Sequence, residues 1–427
     1  MNLIKPCILI LLLFKLFSCK EESDENPPII SITSPTENTQ YNVLDNVAIR
    51  ASISDDESIK SVQVSLIEDA SGKKVLSSLF FSPNKSSFQL EATYELSDSL
   101  LNSGSYYFRI EALDEENTGV AFQYIRVTGI AKKKLGVIAF CSSNSSSTVY
   151  ADKNDFNFQQ IASFSAPYLA STINNYDQQL WFLPADNSSF LAYQINENSI
   201  EFEQAVSSGF NSAYTDIEVH DRSILVSTKG GKILGYTENY AKNYNYQTIG
   251  DRTINQLAEN KKYVIADEAD LTGDNRMLNV LFESTGAVKT GISINYACVD
   301  IYFLEDEKAV LFQNDEQGGR ISELNILANA RRTVKTFSDS ILAVEQIGSN
   351  EYLLSTKTKI MRYDYSTDKL FDYLFTPRAV VSYDQFEKQL YVASGKELKR
   401  YNYPSNSSFA STMLSDEVKG LEIRYNR

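Results

Sequence analysis

Period-two alternation of apolar and polar residues dominates the chain between residues 28 and 130. Short alternating runs are separated by turn residues, among them Ser34 and Pro35 at the end of the first run. About seven such runs in roughly 100 residues predict an antiparallel two-sheet β-sandwich. Asp55, Asp56 and Glu57 interrupt the alternation and predict a turn between two strands.

A second pattern, with a repeat of about 40 residues, fills the chain from residue 131 onward. Each repeat contains a short continuous apolar run, and successive runs start 44, 39, 46, 43 and 38 residues apart. The runs occupy residues 180–183, 224–226, 263–265, 309–312, 352–354 and 390–392. A further strand follows at matching offsets at residues 191–193, 233–236, 321–324, 360–363 and 398–401. This spacing is typical of the four-stranded blades of a β-propeller.

Two fragments remain outside these six repeats, at residues 135–164 and 418–425. The first predicts three strands and lacks an inner one, which Val418, Leu421 and Ile423 can supply. Such pairing closes the ring and removes exposed sheet edges. The sequence therefore predicts an all-β chain, with a β-sandwich at residues 28–130 that resembles bacterial Ig-like and PKD-like modules, and a seven-bladed β-propeller at residues 131–427 closed by the C-terminal strand.

The N-terminus has the pattern of an export signal over residues 1–18. Lys5 precedes an apolar stretch at residues 8–14, which is too short to span a bilayer. The following Leu16, Phe17, Ser18 and Cys19 resemble the bacterial lipobox. This resemblance implies cleavage before Cys19 and a lipid anchor on its thiol, which would attach the protein to a membrane. The alternative is an ordinary secretory signal in which the cysteine is incidental.

Residues 19–27 form an acidic tether. Lys20, Glu21 and Glu22 follow the cysteine directly, and Asp24 and Glu25 continue the charged run. The run resembles the surface-export signal of Bacteroidota lipoproteins, which implies a lipid-anchored protein of the outer membrane, exposed on the cell surface. A solvated, self-extending linker is the alternative.

Charge and cysteine content argue against a nucleic-acid-binding protein and against a disulfide-stabilised one. The 427 residues contain 40 Lys and Arg against 55 Asp and Glu, and this excess of negative charge disfavours nucleic-acid binding. Of the four cysteines, Cys7 and Cys19 belong to the signal and anchor. The other two, Cys141 and Cys298, lie in apolar runs and are predicted to be buried free thiols rather than a disulfide framework.

One acidic run offers a candidate metal site. Residues 267–275 contain Asp267, Asp270 and Asp274 with a glycine between them, and calcium prefers such clustered oxygen ligands. The spacing differs from that of an EF-hand, and a solvated hairpin loop between two strands is the alternative. No other cofactor is predicted.

Two weaker chemical candidates remain. Asp55, Asp56 and Asp114 can bridge calcium as in some Ig-like modules, although hydrogen bonds within turns explain the same residues. His220 is the single histidine, which excludes multi-histidine metal sites and limits any Ser-His-Asp triad to this residue. Because it ends an apolar run, a turn histidine is the simpler interpretation, and no catalytic residue is assigned.

The chain is rich in aromatic residues, with 26 Tyr and 23 Phe but one tryptophan, Trp181. Tyrosine can stack on sugar rings, and Tyr236, Tyr240, Tyr244 and Tyr246 cluster where a sugar-binding rim could form. Most tyrosines recur at blade-core positions, however, so packing inside the blades is the alternative.

The combination resembles Bacteroidota lipoproteins that join an Ig-like or PKD-like domain to a propeller, some of which accompany outer-membrane glycan uptake. The resemblance implies a non-enzymatic binding or accessory protein with a glycan or protein ligand. WD repeats, sialidase Asp boxes and the stacked tryptophans of quinoproteins are missing, so it implies no particular chemistry. The alternative is a lyase or hydrolase that uses carboxylates or tyrosines near the central channel.

Overall fold

The structure, a computed structural model, describes residues 26–152, 155–205, 213–220 and 222–426. The predicted signal peptide and Cys19, Lys20, Glu21 and Glu22 lie outside these residues. All regular elements within them are strands, and no helix among them is long and apolar enough to cross a membrane. The chain divides into two compact units, and the boundary along the sequence lies between Ala131 and Lys132.

The first unit consists of two sheets. One has the strand order β1-β3-β6 and the other the order β2-β8-β7-β4-β5. The strands are β1 (Ile29–Ser34), β2 (Thr39–Asn42), β3 (Asn46–Ile59), β4 (Ser61–Glu68), β5 (Leu79–Phe81), β6 (Lys85–Glu95), β7 (Gly104–Leu113) and β8 (Thr118–Thr128). All neighbouring strands are antiparallel except β2 and β8, which pair in parallel.

Alternation along these strands produces one core. Val47, Ile49, Ala51 and Ile53 of β3 are buried with alternate residues of the other strands, as a sandwich requires. The turn predicted at Asp55–Glu57 is wrong, because these residues lie inside β3, where the register with β6 shifts between Ser54 and Ile59. Bulges and turns both favour short polar residues, so the sequence pattern did not separate them.

The second unit consists, in its described part, of seven four-stranded antiparallel sheets. Their strands are, sheet by sheet, β9 (Lys134–Ser142), β10 (Ser147–Asp152), β11 (Phe158–Phe164) with the C-terminal β36 (Val418–Tyr425); β12 (Tyr168–Asn174), β13 (Gln179–Pro184), β14 (Phe190–Gln194), β15 (Ser199–Gln204); β16 (Tyr214–His220), β17 (Ser223–Thr228), β18 (Lys232–Tyr236), β19 (Lys242–Gln247); β20 (Arg252–Glu259), β21 (Tyr263–Asp270), β22 (Arg276–Phe282), β23 (Val288–Ile294); β24 (Cys298–Glu305), β25 (Lys308–Asp315), β26 (Gly318–Asn325), β27 (Ala330–Phe337); β28 (Ile341–Gly348), β29 (Glu351–Thr356), β30 (Ile360–Asp364), β31 (Lys369–Leu374); and β32 (Val380–Asp384), β33 (Gln389–Ser394), β34 (Glu397–Asn402), β35 (Ser408–Met413).

The first strands of successive sheets form a closed ring. Strand β12 lies beside β16, and the contacts continue through β20, β24, β28 and β32 to β36, which returns to β12. Strand β36 also pairs antiparallel with β9, so the C-terminal strand completes the first sheet, as the sequence predicted. The arrangement is consistent with a β-propeller.

Packing between neighbouring sheets explains the continuous apolar runs that mark the repeats. Successive residues of a strand point to opposite faces, and both faces of each second strand are covered. In β13, Leu180 and Phe182 pack toward Phe140 of the preceding sheet. Trp181 of the same strand packs toward Val226 of the following sheet. The apolar core therefore lies in layers between the sheets.

The two cysteines of this unit occupy separate layers. Cys141 lies in the layer between the last and first sheets, and Cys298 lies between the fourth and fifth. Both are buried and free, as predicted. Burial raises the pKa of Cys141 to about 11, so its thiol stays protonated at neutral pH.

Candidate functional site

A cavity of about 710 Å³ lies inside the ring of first strands. Its described walls come from β12, β16, β20, β24, β28 and β36. The volume is within the range of small-molecule sites, and such cavities with converging polar groups are common binding sites. We call it the central cavity.

The walls of the central cavity are strongly acidic. Six carboxyl side chains line it, and they come from five different strands: Asp216, Glu218, Glu259, Asp300, Glu345 and Glu422. Among the described lining residues Lys419 alone is cationic; it is exposed, and its Nζ lies 2.7 Å from Glu417 Oε2. The carboxyl groups therefore face one another with little compensating positive charge.

Backbone and hydroxyl donors hold several of these carboxyl groups in place. Asp216 Oδ2 accepts a hydrogen bond from the amide of Leu257 at 2.8 Å. Glu345 Oε1 accepts one from the amide of Tyr383 at 2.7 Å. Glu422 Oε1 accepts one from Ser171 Oγ at 2.9 Å. Because each donor belongs to a neighbouring strand, these bonds fix the carboxyl groups and also tie adjacent sheets together.

Burial disfavours the charged form of these groups. It raises the pKa of Asp216 to about 8, and repulsion by Asp300 adds to the shift. The pKa of Glu345 rises to about 8 through burial and repulsion by Glu422 and Asp300. Burial likewise raises the pKa of Glu422 to about 8. At neutral pH the cavity therefore holds several protons.

Asp300 and Tyr302 form a hydrogen-bonded pair on β24. Tyr302 Oη lies 2.9 Å from Asp300 Oδ2 and 3.0 Å from the carbonyl oxygen of Val344. A single phenol proton cannot serve both acceptors, whereas a protonated Asp300 can donate to Tyr302, which then donates to Val344. Burial raises the pKa of Asp300 to about 7, which is compatible with such sharing near neutral pH.

Glu218 differs from its neighbours because no described residue forms a hydrogen bond or an ion pair with it. It lines the cavity and is half-buried there. Burial and then repulsion by Asp216 and Asp300 raise its pKa well above the ordinary value. A carboxyl group without local donors is available to a ligand.

The predicted calcium ligands do not come together. Asp267 is fully buried on β21, where Oδ2 accepts a hydrogen bond from the amide of Cys298 at 2.9 Å and lies 3.5 Å from Arg276 Nη1. Asp270 ends the same strand, so the loop predicted for 267–275 is confined to residues 271–275. Asp274 is an exposed residue of that turn.

Local hydrogen bonds account for the turn at residues 271–275. Asp270 Oδ1 accepts from Thr272 Oγ1 at 2.9 Å and from the amide of Asp274 at 3.1 Å, and Oδ2 accepts from Asn275 Nδ2 at 2.5 Å. These bonds lower the pKa of Asp270 to about 2. Within the described ranges no group of three or more His, Cys, Asp or Glu side chains is arranged to hold a metal ion.

Local hydrogen bonds account for Asp55 and Asp114, the aspartates of the weaker calcium candidate. Asp114 Oδ1 accepts hydrogen bonds from the amides of Glu116 and Asn117, both at 2.6 Å, as in an Asx turn. Asp55 Oδ1 accepts one from the amide of Asp56 at 2.9 Å. His220 ends β16, and the structure does not describe its side chain.

The structure contradicts the prediction of a sugar-binding rim formed by the four tyrosines. Tyr236, Tyr244 and Tyr246 are buried between sheets, and Tyr240 packs against Trp181 at 5.9 Å between ring centroids. Packing therefore explains the cluster.

Sequence reasoning did not identify the cavity carboxyl groups. A signal was present for some of them, because they stand next to apolar residues of a first strand, as in the Asp-Ile-Glu stretch at residues 216–218 and the Val-Asp-Ile stretch at residues 299–301. Alignment of the first strands, rather than the second and third, would have placed these residues at the centre of the ring.

Comparison with known proteins identifies the domain family of the first unit. Residues 28–110 match the bacterial Ig domain family. The first unit is therefore a bacterial Ig-like domain, as the sequence predicted. No curated protein matches the chain in sequence.

Several solved structures are similar to this chain at low sequence identity. A quinoprotein alcohol dehydrogenase-like protein from Bacteroides thetaiotaomicron is 10% identical, with 93% of this chain and 99% of that chain covered and a TM-score of 0.48. A chain of hydrazine synthase from Kuenenia stuttgartiensis is 11% identical, with coverages of 67% and 98% and a TM-score of 0.48. A computationally designed protein is 11% identical, with coverages of 68% and 91% and a TM-score of 0.47. The strand pairing of the second unit, in seven four-stranded sheets of the described residues with β36 beside β9, is what makes it propeller-like.

Proposed function

We propose that this chain is a lipid-anchored surface protein of the outer membrane that binds a ligand without transforming it. The Ig-like domain acts as a spacer, and the second unit is a seven-bladed propeller closed by β36 that presents the ligand site. The closed ring of first strands supports the blade count. The lipobox-like residues 16–19 and the charged residues 20–22 support the anchor and its exposure.

The central cavity is the observation that carries the binding function. Its carboxyl groups are raised in pKa and face a space rather than a packed core, which a purely structural role does not require. Groups that are costly to bury and converge on a ligand-sized space are typical of a binding site. A glycan or a segment of a partner protein is the ligand class that the anchor and fold suggest.

Filling the cavity is expected to abolish binding. Ala343 of β28 lines the cavity and is exposed to it, so Ala343→Trp places an indole in the space without changing charge. Ligands found for the lipid-free mature chain on a glycan array or by pull-down should lose at least about tenfold in affinity, as for an excluded contact of roughly 1.4 kcal/mol. Titration calorimetry measures the loss.

Ala330→Trp is the matched control, because Ala330 is exposed on the outer strand β27. Both variants should keep the wild-type circular dichroism spectrum. Equal binding by wild type and Ala343→Trp would place the ligand site elsewhere and contradict the proposal.

An enzyme is the second candidate function, and the Asp300–Tyr302 pair favours it. A carboxyl group with pKa about 7 beside a phenol can act as a general acid, as lyases and hydrolases require. The test is whether the wild-type protein turns over any member of a panel of polysaccharides. Turnover that is lost in Asp300→Asn would contradict the binding-only proposal and support an enzyme.

The anchor makes a separate prediction. Cys19→Ala should prevent incorporation of a fatty-acid label and move the protein from the membrane fraction to the soluble fraction, because no lipid can attach. Cys7→Ala, in the apolar part of the signal, should leave both unchanged. Labelling of Cys19→Ala at the wild-type level would contradict the anchor.

Surface exposure is tested on intact cells by protease accessibility. Replacing Lys20, Glu21 and Glu22 by alanine should preserve lipid labelling and protect the folded domains from protease. Protection of the wild-type protein until the cells are lysed would show that it faces the periplasm.

A further inference from the structure

The charge pattern of the central cavity indicates which ligand chemistry it accommodates. Glu218 lines the cavity, is half-buried there, and has no hydrogen bond or ion pair to any described residue. A half-buried carboxyl group without a local partner gains attraction from an incoming positive charge, which also favours its ionised form. Glu218 therefore marks a position that an incoming cation can occupy.

The charges around Glu218 favour the same kind of ligand. Asp216 on its own strand, Asp300 on β24, and Glu422 on β36 all repel it. The cation among the described lining residues, Lys419, is exposed and paired with Glu417. An anionic ligand would meet no unpaired cation among the described lining residues, whereas a positively charged group favours ionisation of the carboxyl groups and gains attraction from several strands at once.

A single metal ion fits the cavity poorly. Calcium needs six to eight oxygen ligands within about 2.6 Å. Asp216, Glu345 and Glu422 are held by donors on different strands, and the described side chains contain no cluster arranged for a metal. Carboxyl groups distributed over about 710 Å³ suit several positive groups spaced along one organic molecule.

We propose that the central cavity binds an organic polycation, with an ammonium or guanidinium group paired to Glu218 and further positive groups paired to Asp216, Asp300, Glu345 and Glu422. This inference rests on the proposed binding function and specifies its ligand. The shared chemistry is that of a free polyamine and of a lysine- or arginine-rich peptide.

Proton release accompanies binding, because a cation favours the charged form of each carboxyl group. The titratable or charged groups that face Glu218 are Asp216 on β16, Glu259 on β20, Asp300 and Tyr302 on β24, Glu345 on β28, and Lys419 and Glu422 on β36, with Tyr168 on β12. Strand β32 contributes Asp384, which lies 3.3 Å from Lys134 Nζ rather than at the cavity. Affinity is therefore expected to rise between pH 6 and pH 8.

Spermidine is the first probe, used with the lipid-free mature chain in titration calorimetry at low salt. Glu218→Gln should weaken its binding by about tenfold to a hundredfold, the usual range for losing a hydrogen bond to a charged group. Glu203→Gln is the matched control, because Glu203 is exposed on the outer strand β15 and the substitution changes net charge equally. Wild-type binding should also weaken with added salt and release protons, measured as a buffer-dependent enthalpy.

Further probes distinguish a free polyamine from a basic peptide as the ligand, and they separate this inference from the proposed binding function. Preference for tri-lysine over spermidine identifies a protein segment as the ligand, and the reverse identifies a free polyamine. Equal spermidine affinity in wild type and Glu218→Gln, or no spermidine binding at millimolar concentration, overturns this inference. The protein could instead bind a neutral oligosaccharide but not spermidine, with oligosaccharide binding lost in Ala343→Trp. That result would refute the polycation as ligand and would still support the proposed binding function. Glu345→Gln repeats the test if Glu218→Gln fails to fold.

Discussion

Removal of residues 418–427 is expected to prevent folding of the unit that begins at Lys132, because β36 is the inner strand of the sheet that closes the ring. Val418, Leu421, Ile423 and Tyr425 of this strand are buried. Burial of such side chains contributes about 1.5–3 kcal/mol each, so their loss costs about 6–12 kcal/mol. That is comparable with the whole stability of a domain, about 5–15 kcal/mol.

The remaining sheet would also be left with an open edge. Strand β9 would keep β10 but lose β36, its other pairing partner, and the apolar layer around Val137, Ala139 and Tyr391 would be exposed. Unpaired edges of this kind promote aggregation. Near-ultraviolet circular dichroism and thermal melting of the full mature chain measure the effect.

A graded variant tests the same closure without deleting backbone. Asp384 is fully buried and accepts a hydrogen bond from Tyr425 Oη at 3.1 Å, and Lys134 Nζ of β9 lies 3.3 Å from its other oxygen. Asp384→Asn should lower the free energy of unfolding by about 1–3 kcal/mol, because Lys134 loses a buried anionic partner. Glu203→Gln should leave it unchanged. A truncated chain that melts as wild type would mean that β36 is dispensable for the ring.

The strands that are buried on both faces could be predicted from the sequence. Such strands read as continuous apolar runs, which is why β13, β17, β21, β25, β29 and β33 were predicted with their spacing. The missing inner strand of the first sheet was inferred from closure, and β36 fills it. The interruption at Asp55 and Asp56 was misread, because a bulge and a turn use the same residues.

The candidate site was harder to predict because its residues are separated by about 40 positions and meet only in the closed ring. Considered alone in the sequence, each of these acidic residues suggests a solvent-exposed position on an outer strand. Conversely, the acidic run at residues 267–275 is close in sequence but divided in space, since Asp267 is buried on a strand and Asp274 lies in the turn. Proximity along the chain was therefore a poor guide to proximity in the fold.

The free energy of unfolding is expected to decrease as the pH rises from about 5 to about 8. Asp216, Glu345 and Glu422 have pKa values of about 8, and that of Asp300 is about 7. The same side chains titrate near pH 4 in an unfolded chain. Between these values the folded state holds protons that the unfolded state has released, so stability falls with rising pH and levels off above the folded pKa values.

The magnitude follows from the number of protons involved. One extra proton held in the folded state over three pH units corresponds to about 4 kcal/mol. Hydrogen-bonded carboxylates act in the opposite direction but at lower pH. The pKa of Asp270 and that of Glu323 are lowered to about 2, so their contribution is present above pH 4 and is lost as the pH falls toward 2. Maximal stability is therefore expected near pH 4–5.

Urea unfolding of the full mature chain at pH 5, 6.5 and 8 measures this dependence. The double variant Glu345→Gln and Glu422→Gln should flatten the curve and be more stable than wild type at pH 8, because an amide needs no proton to stay neutral. Glu203→Gln should follow the wild-type curve. Stability that rises from pH 5 to pH 8 in the wild-type chain would mean that the cavity carboxyl groups are charged in the folded state. Their mutual repulsion would then have to be offset by ions or water within the ring, and the protons released on binding spermidine would be absent as well.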